Sequence, residues 1–357
     1  MKDKRIKKII NNMIFHGVDQ ILVTSTATIF YLLGDWIESG ERMLALYINS
    51  NGSIKLFINQ LFPIEAKANV DIIVYNDKED PIKYLLEVID VNKTLGIDKG
   101  WPSGFLIRLL ETNKNLKILN GSIITDEVRM IKDEKEIVLM KTISNINDLA
   151  INDVIKNIKA EKSEIQISKE LAGIYEFHGA EGFSFDPLIA YGKNAAKPHH
   201  SSNQTLPLAG DSIILDIGGR KDFYCSDMTR TVFYKSCNEE YKKVYNIVLE
   251  ANLKAIETIK PGVTFAEIDR AARKVIEKEG YGDYITHRTG HNIGIEVHEY
   301  PDVSSINEMV VKPGMIFSVE PGIYLTNKFG VRIEDLVLVT KDACEILNKY
   351  SKEIQIV

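Results

Sequence analysis

The spacing of apolar residues changes character near residue 125, and that change divides the chain. Before it, helical and strand patterns alternate. Apolar positions fall on one helical face over residues 5–15, and short runs rich in β-branched residues predict strands over 20–24, 43–48, 55–59 and 71–75. Asn51 and Gly52 between the second and third of these signal a hairpin, since both tolerate the positive φ of a tight turn. Helical spacing over 81–89 and 103–111 then alternates with strands over 94–97 and 116–119. This alternation predicts a layered α/β domain over residues 1–124. It carries no GxGxxG turn and no cluster of histidines or acids, so no chemistry is assigned to it. From Thr125 the pattern lengthens into helices, the charged run 132–136 reads as a solvated helix start, and residues 125–357 are expected to form a second domain.

Within that second domain the pattern repeats. The segment from Ile158, IKAEKSEIQISKELAGIYEFHG, aligns without a gap on the one from Ile259, IKPGVTFAEIDRAARKVIEKEG. Ser163 falls on Thr264 and Gln166 on Glu267, so each copy opens a helix with a capping box, in which the hydroxyl takes an unpaired N–H and the longer side chain reaches back. Each copy ends at a glycine, Gly179 or Gly280, suited to a left-handed cap. The expectation is two related helix-plus-strand halves facing one another, with a site on their seam drawing residues from both.

Each half runs on into polar residues set among apolar strands. In ILDIGGRKDFYCSDMTRT the apolar run 212–215 delivers Asp216, the Gly218-Gly219 pair is expected to turn the chain, and Asp227 follows on the returning arm. Two carboxylates close together in a half-buried sheet repel and are costly to desolvate, so a cation between them is the simplest stabiliser. The alternative reading has Asp216 capping the Gly-Gly turn and Asp227 pairing with Arg230. Five of the seven histidines lie between positions 199 and 298, namely His199, His200, His287, His291 and His298. FSVEPGIY then places Glu320 at a strand end, and GVRIEDLVLV sets Glu334 in an apolar strand with Arg332 on the same face as a possible partner. Two aspartates, one histidine and two glutamates form an oxygen-rich donor set without thiolate, which suits Mn(II), Co(II) or Fe(II) better than structural zinc.

Composition narrows the classes. A hydrophobic share of 45% with 26% charged residues is that of a globular chain, and a net charge of −6 gives no electrostatic footprint for nucleic acid. The basic N-terminus reads as an amphipathic helix, not a signal peptide, and no apolar run is long enough to span a membrane. Three cysteines without a CxxC pair fit free thiols in a cytoplasmic protein.

The ordered set LDIGG…CSDMTRT, TGHNIGIEVHEYP, FSVEPGIY and GVRIEDLVLV resembles the metal-dependent peptidases that act before proline, the prolidase and aminopeptidase P family. The resemblance covers residues 130–357 and implies a "pita-bread" α+β catalytic domain with an internal pseudo-two-fold repeat, behind a creatinase-type α/β N-terminal domain. It implies two divalent metal ions, Mn(II) first, with Co(II), Fe(II) or Zn(II) also compatible, held by Asp216, Asp227, His291, Glu320 and Glu334. Glu320 also falls on the residue credited with proton handling. His298 and His199 fall on substrate-side histidines, the second in a segment that departs from the family pattern through Lys197 and His200. Arg332 falls on an outer arginine that holds a carboxylate in place near the substrate, whereas His287 has no match and is expected to be structural. A proline-containing peptide substrate and a homodimer follow from the resemblance, with no nucleic-acid or membrane partner. Its rivals are a creatinase or methionine aminopeptidase activity on the same fold, disfavoured by the intact ligand set and the long N-terminal domain, and a catalytically silent peptide- or protein-binding module. Trp36 and Trp101 are expected to pack within the first domain.

Overall fold

The computed structural model describes residues 2–357, and the chain divides into two compact units, Met1–Arg129 and Met130–Val357. The first unit is built on one mixed sheet of six strands: β1 (Gln20–Val23), β2 (Ala45–Asn49), β3 (Ile54–Asn59), β4 (Asp71–Tyr75), β5 (Thr94–Ile97) and β6 (Lys117–Asn120). They lie in the order β4-β3-β2-β1-β5-β6, with β1 antiparallel to β2 and parallel to β5. Helices α1 (Lys2–Phe15), α2 (Thr26–Leu33), α3 (Pro81–Leu86), α4 (Ser103–Thr112) and α5 (Ser122–Arg129) complete it, and the expected boundary at 124/125 falls inside α5. Trp101 is buried in this unit's core and stacks on Phe105 with ring centroids 5.9 Å apart, while Trp36 packs edge-on against Phe30.

Helix α2 has no counterpart in the hydrophobic pattern. Six of its residues are buried, among them Ile29, Tyr31 and Leu33, so it shows no polar stripe from which a helical period could be read. Its ends are nonetheless marked: Ser25 accepts from the Thr28 N–H at 3.3 Å, and Gly34 takes the left-handed conformation at φ +85°.

The second unit has two similar halves. In the first, α6 (Glu134–Lys156) and α7 (Glu164–His178) pack on a three-stranded sheet of β8 (Leu188–Tyr191), β9 (Ser212–Ile217) and β12 (Met228–Phe233). Short strands β7 (Gly182–Phe183), β10 (Gly219–Lys221) and β11 (Tyr224–Cys225) form a small sheet beside it. In the second half, α8 (Glu239–Thr258) and α9 (Phe265–Lys278) pack on β13 (Gly290–Asn292), β14 (Glu299–Val303) and β15 (Ile316–Val319). The strands β16 (Gly322–Leu325) and β17 (Phe329–Arg332) pair with each other, and β18 (Asp335–Val339) and β19 (Cys344–Ile346) extend the sheet from β15. Each half has its own apolar core, Ile151, Ile167, Leu171 and Ile213 in one, Val248, Ile268, Phe317 and Val337 in the other.

The repeat read from the sequence is visible in the caps. Helices α7 and α9 both carry capping boxes, with the Ser163 N–H on Gln166 Oε1 at 2.8 Å and the Thr264 N–H on Glu267 Oε2 at 2.7 Å. Gly179 and Gly280 follow at φ +87° and +85°.

One local expectation is corrected. The chain does not reverse at Gly218-Gly219: it continues into β10, reverses at Asp222 and Phe223, both at positive φ, and returns through β11. Glycine is needed at 218 because of a close approach, since a Cβ there would lie 2.0 Å from Ser184 Oγ and 2.2 Å from the Ser226 carbonyl oxygen. The outer arms still pair in register, with Asp216 opposite Thr229 and Asp227 immediately before β12. No helix among the described residues is long and apolar enough to cross a membrane.

Candidate metal centre

Strand ends from both halves of the second unit meet at a cleft of about 830 Å³. Asp216, Asp227, His291, Glu320 and Glu334 all line it, as do His199, His298 and Arg332. β9 and β12 of the first half bring Asp216 and Asp227, whereas β13, β15 and the bend between β17 and β18 bring His291, Glu320 and Glu334.

The donor atoms converge. One ligand atom from each of Asp227, His291 and Glu334 lies within 4.8 Å of the others, and all three residues are buried. His291 Nε2 sits 3.6 Å from Asp227 Oδ2 and 3.5 Å from Glu320 Oε1. Its Nδ1 faces the Asn292 carbonyl at 3.1 Å, which assigns the proton to Nδ1 and leaves the Nε2 lone pair aimed at the carboxylates. The Glu320 N–H donates to the Thr289 carbonyl at 2.7 Å, so Glu320 is tied to the segment that leads into His291.

Arg332 is the buried cation of the cluster. Its Nη2 donates to Asp216 Oδ2 at 2.5 Å, its Nη1 to the Tyr324 hydroxyl oxygen at 2.9 Å, and its Nε to Thr229 Oγ1 at 3.0 Å. Thr229 in turn donates to Glu334 Oε2 at 2.7 Å. Two expectations change accordingly. Glu334 lies in a bend between strands, and its partner is Thr229, while Arg332 reaches Asp216. Arg230 does not meet Asp227 but pairs with Asp335 at 2.7 Å.

Electrostatics then show what is missing. Asp216 Oδ1, Asp227 Oδ1 and Glu334 Oε1 are buried and have no hydrogen-bond partner. Burying an ionised carboxylate costs several kcal/mol, and hydrogen bonds to charged groups return only about 1.5–3 kcal/mol each, so the bonds from Thr229 and Ser318 do not sustain four adjacent anions. Burial, then repulsion from Glu334, Asp216 and Glu320, pushes Asp227 well above the usual carboxylate range. Burial with Glu320 and Asp216 beside it does the same to Glu334, and burial brings Glu320 up to about 7. Burial, with His298 alongside, holds His291 down to about 3, so its imidazole is neutral. Orphaned oxygens, a bare imidazole nitrogen and carboxyls that resist ionisation are the donor set and field that divalent cations would satisfy.

The other histidines divide by role. His298 stands edge-on to His291 with centroids 4.1 Å apart, and it is exposed toward the cleft. His199 is likewise exposed. His200 is bound to the buried Glu164 at 2.7 Å, which leaves His199 as the free member of the pair. His287 donates from Nδ1 to the Arg288 carbonyl at 2.7 Å and accepts from the Tyr324 hydroxyl at 2.8 Å, as a structural histidine does.

Sequence reasoning missed Thr229 and Tyr324. Their signal was period-2 spacing, since Thr229 follows Asp227 by two and Tyr324 follows Glu320 by four, the same face of an extended chain.

A carboxylate-rich cleft of this kind, assembled from two helix-over-sheet halves, defines a metal-dependent hydrolase of the pita-bread fold. Comparison with known proteins gives the family. The description Metallopeptidase family M24 matches residues 138–341, and Creatinase/Prolidase N-terminal domain matches residues 5–131. An Xaa-Pro dipeptidase of Pyrococcus horikoshii is 35% identical over 353 residues, 99% of each chain. The crystal structure of a prolidase from Thermococcus sibiricus superposes with a TM-score of 0.93 at 33% identity, covering 100% of this chain and 99% of that one. An X-Pro aminopeptidase from Thermotoga maritima gives 0.81 at 30% identity, covering 97% and 100%. The chain belongs to metallopeptidase family M24, with the creatinase/prolidase N-terminal domain in front.

The raised carboxyl of Glu320 has a consequence for stability. Its value of about 7 in the fold lies above the ordinary 4.5, so the metal-free folded state binds more protons than the unfolded chain between these limits. Metal-free protein should therefore lose stability as pH rises from about 4.5 to about 7, while Mn(II)-loaded protein should not. Urea melts across that window with and without Mn(II) measure the difference, and parallel curves would contradict it.

Proposed function

We propose that this protein is an Xaa-Pro peptidase that hydrolyses the amide bond preceding proline in short peptides, with dipeptides as its first substrates. The observation that carries the reading is the convergence of three partnerless buried carboxylate oxygens and the bare Nε2 of His291 on one cleft. Asp216, Asp227, His291, Glu320 and Glu334 would hold two divalent cations, with Mn(II) as the native ion. Bound there, such ions lower the pKa of water and polarise a carbonyl oxygen. The side chains do the remainder. His298, exposed toward the cleft, would donate a hydrogen bond to the oxyanion that develops at the carbonyl before proline. Glu320, whose carboxyl lines the cleft, would hand a proton to the departing imino nitrogen. Arg332 fixes Asp216, and His199, exposed in the cleft, would contact the peptide.

Proline needs such a site because its nitrogen has no hydrogen and its ring constrains the residue before it, so a cleft that grips an extended chain through that N–H cannot hold it. The dipeptide preference draws on the name of the Pyrococcus horikoshii relative, which matches this chain end to end. Under the same reading the enzyme works as a homodimer in the cytoplasm, where Cys225, Cys237 and Cys344 stay as free thiols.

Ala-Pro and Leu-Pro dipeptides, offered beside the matching tripeptides with added Mn(II), test the substrate. Dipeptides should be cut faster, chelation should abolish cleavage, and Mn(II) or Co(II) should restore it. Full activity after exhaustive chelation refutes the metal reading, and preference for tripeptides refutes the dipeptide one. A second test separates binding from chemistry: His298→Ala should keep both metal ions but lose about a hundredfold or more in kcat. A variant that has lost its metal would show that His298 serves the ions instead.

A further inference from the structure

We infer that Asn147 and Asn252 are a pseudo-symmetric pair of positioning residues, one in each half, whose side-chain amides set the strand ends that carry the metal-site carboxylates. Asn147 lies in α6 and Asn252 in α8, the first helix of each half, and both are completely buried. A buried primary amide in the middle of a helix is costly unless its bonds are made, and each of these makes them to a neighbouring strand.

Asn147 Nδ2 donates to the carbonyl of Ile217 at 2.9 Å, the residue after Asp216. Asn252 Nδ2 donates to the carbonyl of Val319 at 2.9 Å and to that of Ile333 at 3.4 Å, the residues just before Glu320 and Glu334. One amide thus ties together the two segments that deliver the glutamates, and the other holds the segment that delivers Asp216.

The orientation of each amide is fixed from behind. Lys352 Nζ, which can only donate, bonds Asn252 Oδ1 at 2.9 Å and Asp335 Oδ2 at 2.6 Å. Asp335 also receives Arg230 Nη2 at 2.7 Å, and Arg230 Nη1 donates to the Glu334 carbonyl at 2.6 Å. In the other half the Tyr175 hydroxyl takes the role of Lys352 by donating to Asn147 Oδ1. The same device therefore occurs twice: a donor orients the amide oxygen, and the amide nitrogen grips a carbonyl adjoining a cleft carboxylate. Neither asparagine touches the cleft, so both act through the backbone.

The inference rests on the reading of Asp216, Glu320 and Glu334 as metal ligands, and the test keeps the two apart. Asn252→Asp preserves the acceptor for Lys352 while turning the donor into an oxygen that faces two carbonyls. Mn(II) binding to the metal-free full-length protein is followed by titration calorimetry for wild type, Asn252→Asp and Val248→Ala, the last a cavity in α8 one turn away. Partners behind metal ligands govern about 10- to 100-fold in affinity, so Asn252→Asp should bind Mn(II) at least about tenfold more weakly. Val248→Ala should bind as wild type does despite its lower melting temperature. Asn147→Asp provides the same measurement from the other half and stands in if Asn252→Asp does not fold. Wild-type affinity in the aspartate variants, or equal weakening in Val248→Ala, overturns the inference; absence of Mn(II) binding by wild type overturns the metal reading beneath it.

Discussion

Repulsion among carboxylates packed where little water can reach them is the constraint from which the catalytic unit is best understood. Asp216, Asp227, Glu320 and Glu334 share one cleft, and Arg332 offsets only one of their charges. Hydrogen bonds are arranged to hold the groups in place without neutralising them. Thr229 joins Arg332 to Glu334, the Ser318 hydroxyl accepts from the His291 N–H at 3.0 Å and donates to Glu320 at 3.3 Å, and Tyr324 links Arg332 to His287. What remains is three oxygens and one imidazole nitrogen with nothing to bond, all facing inward. Such a cluster is stable either protonated or around cations, and the second state is the one with chemistry.

The fold explains how anions from distant parts of the chain come to face one another. Each half supplies two helices over a sheet, and the carboxylates leave from strand ends on both sides of the seam. Rigid strands give the aim, and buried polar side chains such as Thr229 and Arg332 keep the rotamers. The histidines are partitioned by the same logic. His200 and His287 are committed to Glu164 and Tyr324, His291 aims a bare nitrogen at the anions, and His199 and His298 line the cleft as exposed side chains.

Much of this was legible in the sequence, and the reasons for the rest are physical. Capping boxes at Ser163 and Thr264 gave the repeat because they are local, and β-branched runs such as 71–75 gave strands because their composition suits an extended, half-buried chain. Helix α2 was hidden because burial on most sides erases the amphipathic stripe. The Gly218-Gly219 pair misled because glycine serves both turns and close approaches, and only neighbouring atoms distinguish them. Residue types suggested a cation between Asp216 and Asp227, yet the partner of Arg332 was misread because Glu334 is near it in sequence and Asp216 is near it only in space.

The central claim is that Asp216, Asp227, His291, Glu320 and Glu334 surround divalent cations. Anomalous diffraction at the manganese edge from crystals grown with Mn(II) tests it most directly. The account predicts two peaks in the cleft, each among the carboxylate oxygens and the imidazole nitrogen of Asp216, Asp227, His291, Glu320 and Glu334. A cleft without peaks, with Asp227 and Glu334 instead turned onto protein donors, would contradict it.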